Sequence, residues 1–135
     1  MEFFQVVILY FITLAIGLII DLIWLGLMNS RFYKSQLAGL MSDKVNWLPG
    51  ILFYLLFIAG LLILVVIPAF NNESWVSAML LGGLLGMVAY GTYDLTNLAS
   101  IKNWPVPVTV VDIIWGTVFS ATVATISYFI ASAIS

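Results

Sequence analysis

The sequence predicts an all-α integral membrane protein: a four-helix transmembrane bundle, with room for a short interfacial helix between the first and second helices. Three observations predict it. Of the 135 residues, 64% are hydrophobic and only 7% charged, with a mean hydropathy of +1.19. A water-soluble domain carries about 25% charged residues to coat its surface, so lipid must be the solvent of this chain. Four apolar stretches are each long enough to cross about 30 Å of hydrocarbon, which takes roughly 20 helical residues. The polar segments between them are too short to form a second domain, so residues 1–135 read as a single transmembrane domain.

The first stretch runs from Phe3 to Met28. Glu2 stands where a cleavable signal has Lys or Arg, and the run exceeds the usual apolar region of about 7–15 residues, so it reads as a retained helix. Residues 29–47 form a longer link, in which Tyr33, Leu37, Leu40 and Met41 fall at helical spacing while Arg31, Lys34, Gln36 and Lys44 are polar. That pattern fits a short helix lying in the membrane interface; an irregular loop is the alternative. The second stretch, Leu48 to Phe70, is opened by Pro49, which a first helical turn tolerates because its missing N–H is unpaired there anyway. Asn71-Asn72-Glu73-Ser74 is a tight turn that makes the second and third helices antiparallel neighbours. The third stretch runs from Trp75 to about Ile101 and the fourth from about Val106 to Ile134, joined by Lys102-Asn103-Trp104-Pro105. In hydrocarbon each backbone polar group must find its partner inside its own segment, so all four stretches are helices.

Composition also excludes. With four Lys and Arg in the whole chain and a net charge of −2, no basic stripe can follow a nucleic acid backbone. Cysteine and histidine are both absent, which removes thiol chemistry, disulfides, structural zinc and histidine-ligated haem. Carboxylate ligands would suit Mg, Ca or Mn, but no paired Asp-x-x-Asp spacing marks a metal site, and no cofactor is implied. Arg31, Lys34 and Lys44 lie in the first link and Lys102 in the third, leaving the other side of the membrane without Lys or Arg. The positive-inside rule therefore puts both links in the cytoplasm and both termini outside.

Asp21, Asp94 and Asp112 each sit inside a predicted membrane helix, about six or seven residues from its cytoplasmic end. At 1.5 Å per residue each lies roughly 10 Å below those ends. Stepping outward by four from each gives Gly17 and Thr13, then Tyr90, Gly86, Gly82 and Ala78, then Gly116, Ser120 and Ala124. Such stripes of small residues let membrane helices approach closely, so the three carboxyl groups should point into the bundle, where energetics prefers them. Trp24 and Trp115 each follow an aspartate by three residues, Tyr90, Tyr93 and Asn97 flank Asp94, and Tyr54 on the second helix falls at the same depth. Together they predict a polar, aromatic-walled pocket binding a ligand or protons and opening toward the cytoplasm. The plainer reading of each residue stands beside this one. An intramembrane Asp can serve as a structural hydrogen bonder, Trp24 and Trp115 as interface-belt residues, and Tyr54 and Tyr93 as packing. The spacing Gly82-x-x-x-Gly86 marks helix contact and nothing more.

The run Tyr90-Gly91-Thr92-Tyr93-Asp94-Leu95-Thr96-Asn97-Leu98-Ala99, followed by Lys102-Asn103-Trp104-Pro105, resembles the hallmark of a bacterial family of small predicted membrane proteins, domain of unknown function 2177. Asp21-Leu22-Ile23-Trp24-Leu25-Gly26 and Val111-Asp112-Ile113-Ile114-Trp115-Gly116 resemble its other recurrent segments. The resemblance covers essentially the whole chain. It implies a multi-pass protein of the bacterial inner (cytoplasmic) membrane with four helices, and brings no activity or ligand with it.

Three functions compete. The first is proton- or cation-linked binding or transport of a small solute, since carboxyl groups in a low-dielectric site can exchange a proton for a cationic or polar ligand. Four helices enclose little volume, so a transport pathway would need a homo-oligomer. The second is an intramembrane enzyme acting on a lipid headgroup, with carboxylates as general acid and base or as Mg²⁺ ligands. The third is an accessory or assembly subunit, whose polar layer is a structural lock and whose partners, like the surrounding lipids, are met within the membrane.

Overall fold

The computed structural model describes residues 1–42 and 44–135. Among these residues four helices are long and apolar enough to span a membrane: α1 (Phe3–Gln36), α2 (Trp47–Asn71), α3 (Trp75–Ser100) and α4 (Val106–Ile134). α1 starts at a capping box, in which the Gln5 side chain accepts a hydrogen bond from the Glu2 backbone N–H at 2.9 Å.

The helix expected in the first link is present, but it runs on from α1 rather than standing as a separate interfacial element. Residues 28–36 contain no Gly or Pro to stop it. The chain instead widens into a π-helical turn at Asn29–Tyr33, continues to Gln36, and turns away where Gly39 adopts a φ of 88°. α2 carries a second π-helical turn at Leu62–Val66. Its cause lies just beyond, at Pro68, which lacks an N–H and whose ring crowds the carbonyl four residues before it. Widening the preceding turn absorbs that conflict without breaking the helix.

The α2–α3 turn is closed by Glu73 at a φ of 53° and by Ser74, whose hydroxyl accepts from the Ser77 N–H at 3.1 Å. The α3–α4 connection turns at Asn103, with a φ of 66°. There Trp104 Nε1 donates to Thr109 Oγ1 at 3.2 Å, fixing the link to the first turn of α4.

α3 and α4 form the most extensive helix pair. Their meeting face is made of the small stripes: Ala78, Gly82 and Gly86 against Gly116, Ser120 and Ala124, all buried. A Cβ on Gly82 would lie 2.6 Å from that of Ala124, and one on Gly86 would run into the Gly116 carbonyl. Glycine is what lets these two backbones touch.

The bundle has two unlike ends. One, the turn end, carries the α2–α3 turn and both termini, pinned together where Gln5 Nε2 donates to the Ile134 carbonyl at 3.3 Å. Here Leu9, Ile58, Leu61, Val66 and Val123 form an apolar core. The other, the link end, carries both basic links. There α2 leaves the bundle: its residues 47–53 are all exposed, and its burial begins at Phe57.

Candidate functional site

The link end holds a cavity of about 290 Å³ between α1, α3 and α4. Asp21, Trp24, Tyr90, Asp112 and Trp115 line it, as does Tyr33 from the extended end of α1. Two Asp-x-x-Trp segments, one on α1 and one on α4, build its wall reciprocally. Trp24 and Trp115 stack with ring centroids 4.2 Å apart and an interplanar angle of 6°. Trp115 Nε1 donates to Asp21 Oδ1 across the helices at 3.4 Å. Trp24 Nε1 donates to the Tyr33 hydroxyl at 3.2 Å, and that hydroxyl donates in turn to Asp112 Oδ1. Each tryptophan is thereby tied to the other helix's aspartate, once directly and once through Tyr33.

Tyr33 was not among the predicted site residues. On an unbroken α-helix the residue eleven beyond Asp21, about three turns on, would be Phe32. The π-helical turn inserts one extra residue and brings Tyr33 to that face instead. Leu37 and Met41 follow it onto the cavity wall. The apolar stripe read in the link thus serves the cavity, although the stripe itself was legible.

Of the other predicted residues, Asp94 is fully buried, and among the described residues its carboxyl oxygens meet no well-aligned hydrogen-bond partner, the Asp112 carboxyl group being its polar neighbour. It stands beside Asp112 but does not line the cavity, where Asp21 and Asp112 are the carboxyl groups. Gly91, one turn earlier on α3, is buried on the same side. Tyr90 lies flat against α4 because Gly116 has no side chain to meet its ring. Tyr54 packs in the core next to Gly17, whose Cβ, if present, would lie 2.7 Å from the phenol oxygen. That oxygen is buried without a partner among the described residues, and Tyr54 does not line the cavity. Asn97 is half-buried beside Tyr93 and also stands off it.

A second cavity, of about 570 Å³, opens where α2 leaves the bundle. Pro49, Gly50, Phe53 and Ala89 form its apolar wall, with Tyr93 and, shared with the first cavity, Tyr90 and Asp112. Tyr93 is itself braced edge-to-face against Trp104 at 5.8 Å.

Chemically, the first cavity offers two carboxyl groups and four aromatic rings, and among its described lining residues there is no lysine or arginine. Aromatic faces and carboxylates both attract positive charge. Among the described residues no three His, Cys, Asp or Glu side chains converge as a metal site.

The fold and this site define a four-helix membrane protein with an acidic, aromatic cavity at one end. The chain belongs to the family described as predicted membrane protein (DUF2177), whose model matches residues 6–129. No curated protein and no solved structure matches it.

Proposed function

We propose that the protein binds a small organic cation in the cavity between α1, α3 and α4 and exchanges it for protons, as a transporter of the bacterial inner membrane. One observation carries the reading: Asp21 and Asp112 share a cavity of about 290 Å³ with Trp24, Trp115, Tyr33 and Tyr90, and no described basic side chain lines it. Tetraalkylammonium groups and protonated amines are held by this combination of ring faces and carboxylate. The proton link rests on Asp94, a buried carboxyl group beside Asp112 with no well-aligned hydrogen-bond partner among the described residues. A cation held at Asp112 sets its positive charge beside the Asp94 carboxyl group and favours loss of a proton there. Arg31, Lys34, Lys44 and Lys102 put this end in the cytoplasm and both termini outside by the positive-inside rule. Passage across the bilayer then requires two or more copies, since a single bundle is closed by the core at its turn end.

Calorimetric titration of the purified protein with tetramethylammonium, in two buffers of different ionisation heat, tests both parts. The wild type should bind and release protons, while neutral 3,3-dimethylbutan-1-ol should bind far less. Asp112→Asn should weaken the cation at least roughly tenfold, and Asp94→Asn should bind with its proton release lost. Equal affinity for the neutral analogue, or unchanged binding and proton release in both variants, would overturn the proposal.

A further inference from the structure

The second cavity says what kind of cation. We infer that the ligand is an amphiphile, a cationic headgroup on an alkyl chain, and that it reaches the site sideways from the lipid. The inference rests on the function proposed above and adds the ligand's other half.

The two cavities are not independent. Tyr90 and Asp112 line both, so a group held at Asp112 in the first stands at the threshold of the second. Beyond that threshold the wall turns apolar: Pro49, Gly50 and Phe53 from α2, and Ala89 from α3. This chamber holds about 570 Å³ against 290 Å³ for the acidic one, more than a compact headgroup would use. It exists because α2 diverges from the bundle, leaving residues 47–53 exposed on the side where lipid stands. A hydrocarbon chain in this gap keeps an apolar environment throughout, while its head meets carboxylate and aromatic rings. The carboxyl groups Asp21 and Asp112 line the first cavity and only Asp112 borders the second, so the two chambers divide one molecule between them, head in the first and chain in the second.

Gly50 supplies the test, because a Cβ there meets nothing within 4 Å, and the same holds for Gly60 on the same helix. Gly60 lies ten residues further along α2, about 15 Å away, and does not line the cavity. Gly50→Trp therefore adds bulk at the wall of the apolar chamber without displacing backbone, and Gly60→Trp places the same bulk elsewhere. Affinities of tetramethylammonium and decyltrimethylammonium are measured for all three proteins in nanodiscs of one phosphatidylcholine, so that partitioning of the chain into lipid is common to every comparison. The wild type should bind the decyl compound roughly tenfold or more tighter than tetramethylammonium. Gly50→Trp should erase that gain and leave tetramethylammonium within about twofold, and Gly60→Trp should change neither. If Gly50→Trp does not purify folded, Gly50→Leu carries the same comparison with a smaller gain erased. Tetramethylammonium binding with a decyl gain that Gly50 substitutions do not touch overturns the amphiphile alone, the chamber then holding ordinary lipid chains. No tetramethylammonium binding by the wild type overturns both readings.

Discussion

At the turn end Leu9, Ile58, Leu61 and Val66 have no exposed surface at all, and the buried hydroxyls of Thr13 and Ser127 bond to each other. At the link end the same helices leave Asp21, Trp24, Asp112 and Trp115 half-buried around two cavities, and α2 swings out with its first two turns bare. In water the second arrangement would collapse, because exposed apolar surface drives closure. In lipid that force between helices is absent, and only close fit, hydrogen bonds and small residues draw them together. A membrane bundle can therefore be tight where its residues are small and complementary and remain open where they are large. Here the change falls between Gly86 and Tyr90 on α3, one turn apart.

The sharpest way to break this contrast is to spoil the tight part. Gly86→Leu drives a side chain into the Gly116 carbonyl and the Ser120 side chain. The backbones of α3 and α4 must separate, and the loss should be at least about 3 kcal/mol, at the upper end for overpacked interiors. Gly26→Leu places the same side chain where nothing lies within 4 Å and should be close to neutral. Unfolding in mixed detergent, followed by circular dichroism, measures both. Similar losses for the two would mean that the α3–α4 contact is not what holds the bundle.

Next comes the cost of the open end. The Asp94 carboxyl has no exposed surface and no partner among the described residues. Burying a polar group unpaired costs about 1–3 kcal/mol, and such a cost persists at functional sites more readily than elsewhere. Asp94→Leu, of similar branching, should raise stability by about 1–2 kcal/mol while abolishing proton release on ligand binding. A variant that is destabilised instead would place Asp94 among the residues that hold the fold.

How far the sequence reveals each half follows from the same physics. The four-helix class is legible because lipid demands long apolar segments. The packing faces are legible because close approach demands Gly, Ala, Ser and Thr at helical spacing, as in Ala78, Gly82 and Gly86. The cavity is legible in Asp21, Trp24, Asp112 and Trp115, since two Asp-x-x-Trp segments each place both residues on one face. It is not legible in Tyr33. No single residue between Met28 and Gln36 announces a π-helical turn, and without it the periodicity selects Phe32. Nor does any pattern in 47–53 say that α2 departs from the bundle there, because lipid-facing and cavity-facing apolar residues look alike.

A milder change probes that hidden residue. Tyr33→Phe keeps the ring, which is half-buried, and removes the hydroxyl linking Trp24 Nε1 to Asp112. Stability should fall by about 1 kcal/mol. The emission of Trp24, freed of its acceptor, should shift relative to wild type, while Phe32→Leu should leave it unmoved. If Phe32→Leu gives the larger shift, the register assigned to the extended end of α1 is wrong.

The smallest effect belongs to the turn end and measures how much of its tightness is polar. Thr13 Oγ1 and Ser127 Oγ lie 2.9 Å apart, fully buried, and join α1 to α4 through the middle of the apolar core. Across membrane helices such a bond is worth only about 0.6 kcal/mol on average, because the separated helices also find partners for their hydroxyls. Thr13→Val keeps the shape and branching of the side chain, and Ser127→Ala removes one atom. Each alone strands the other hydroxyl, whereas the double variant strands neither, so the pair should cost less than the sum of the two single changes. A coupling near 0.6 kcal/mol means the turn end is held by packing, with the bond only setting the register between α1 and α4. A coupling of about 2 kcal/mol or more would instead make this hydroxyl pair a principal clamp. The contrast between the two ends would then be one of satisfied against unsatisfied polar groups, Thr13 and Ser127 on one side and Asp94 on the other, rather than of small residues against large.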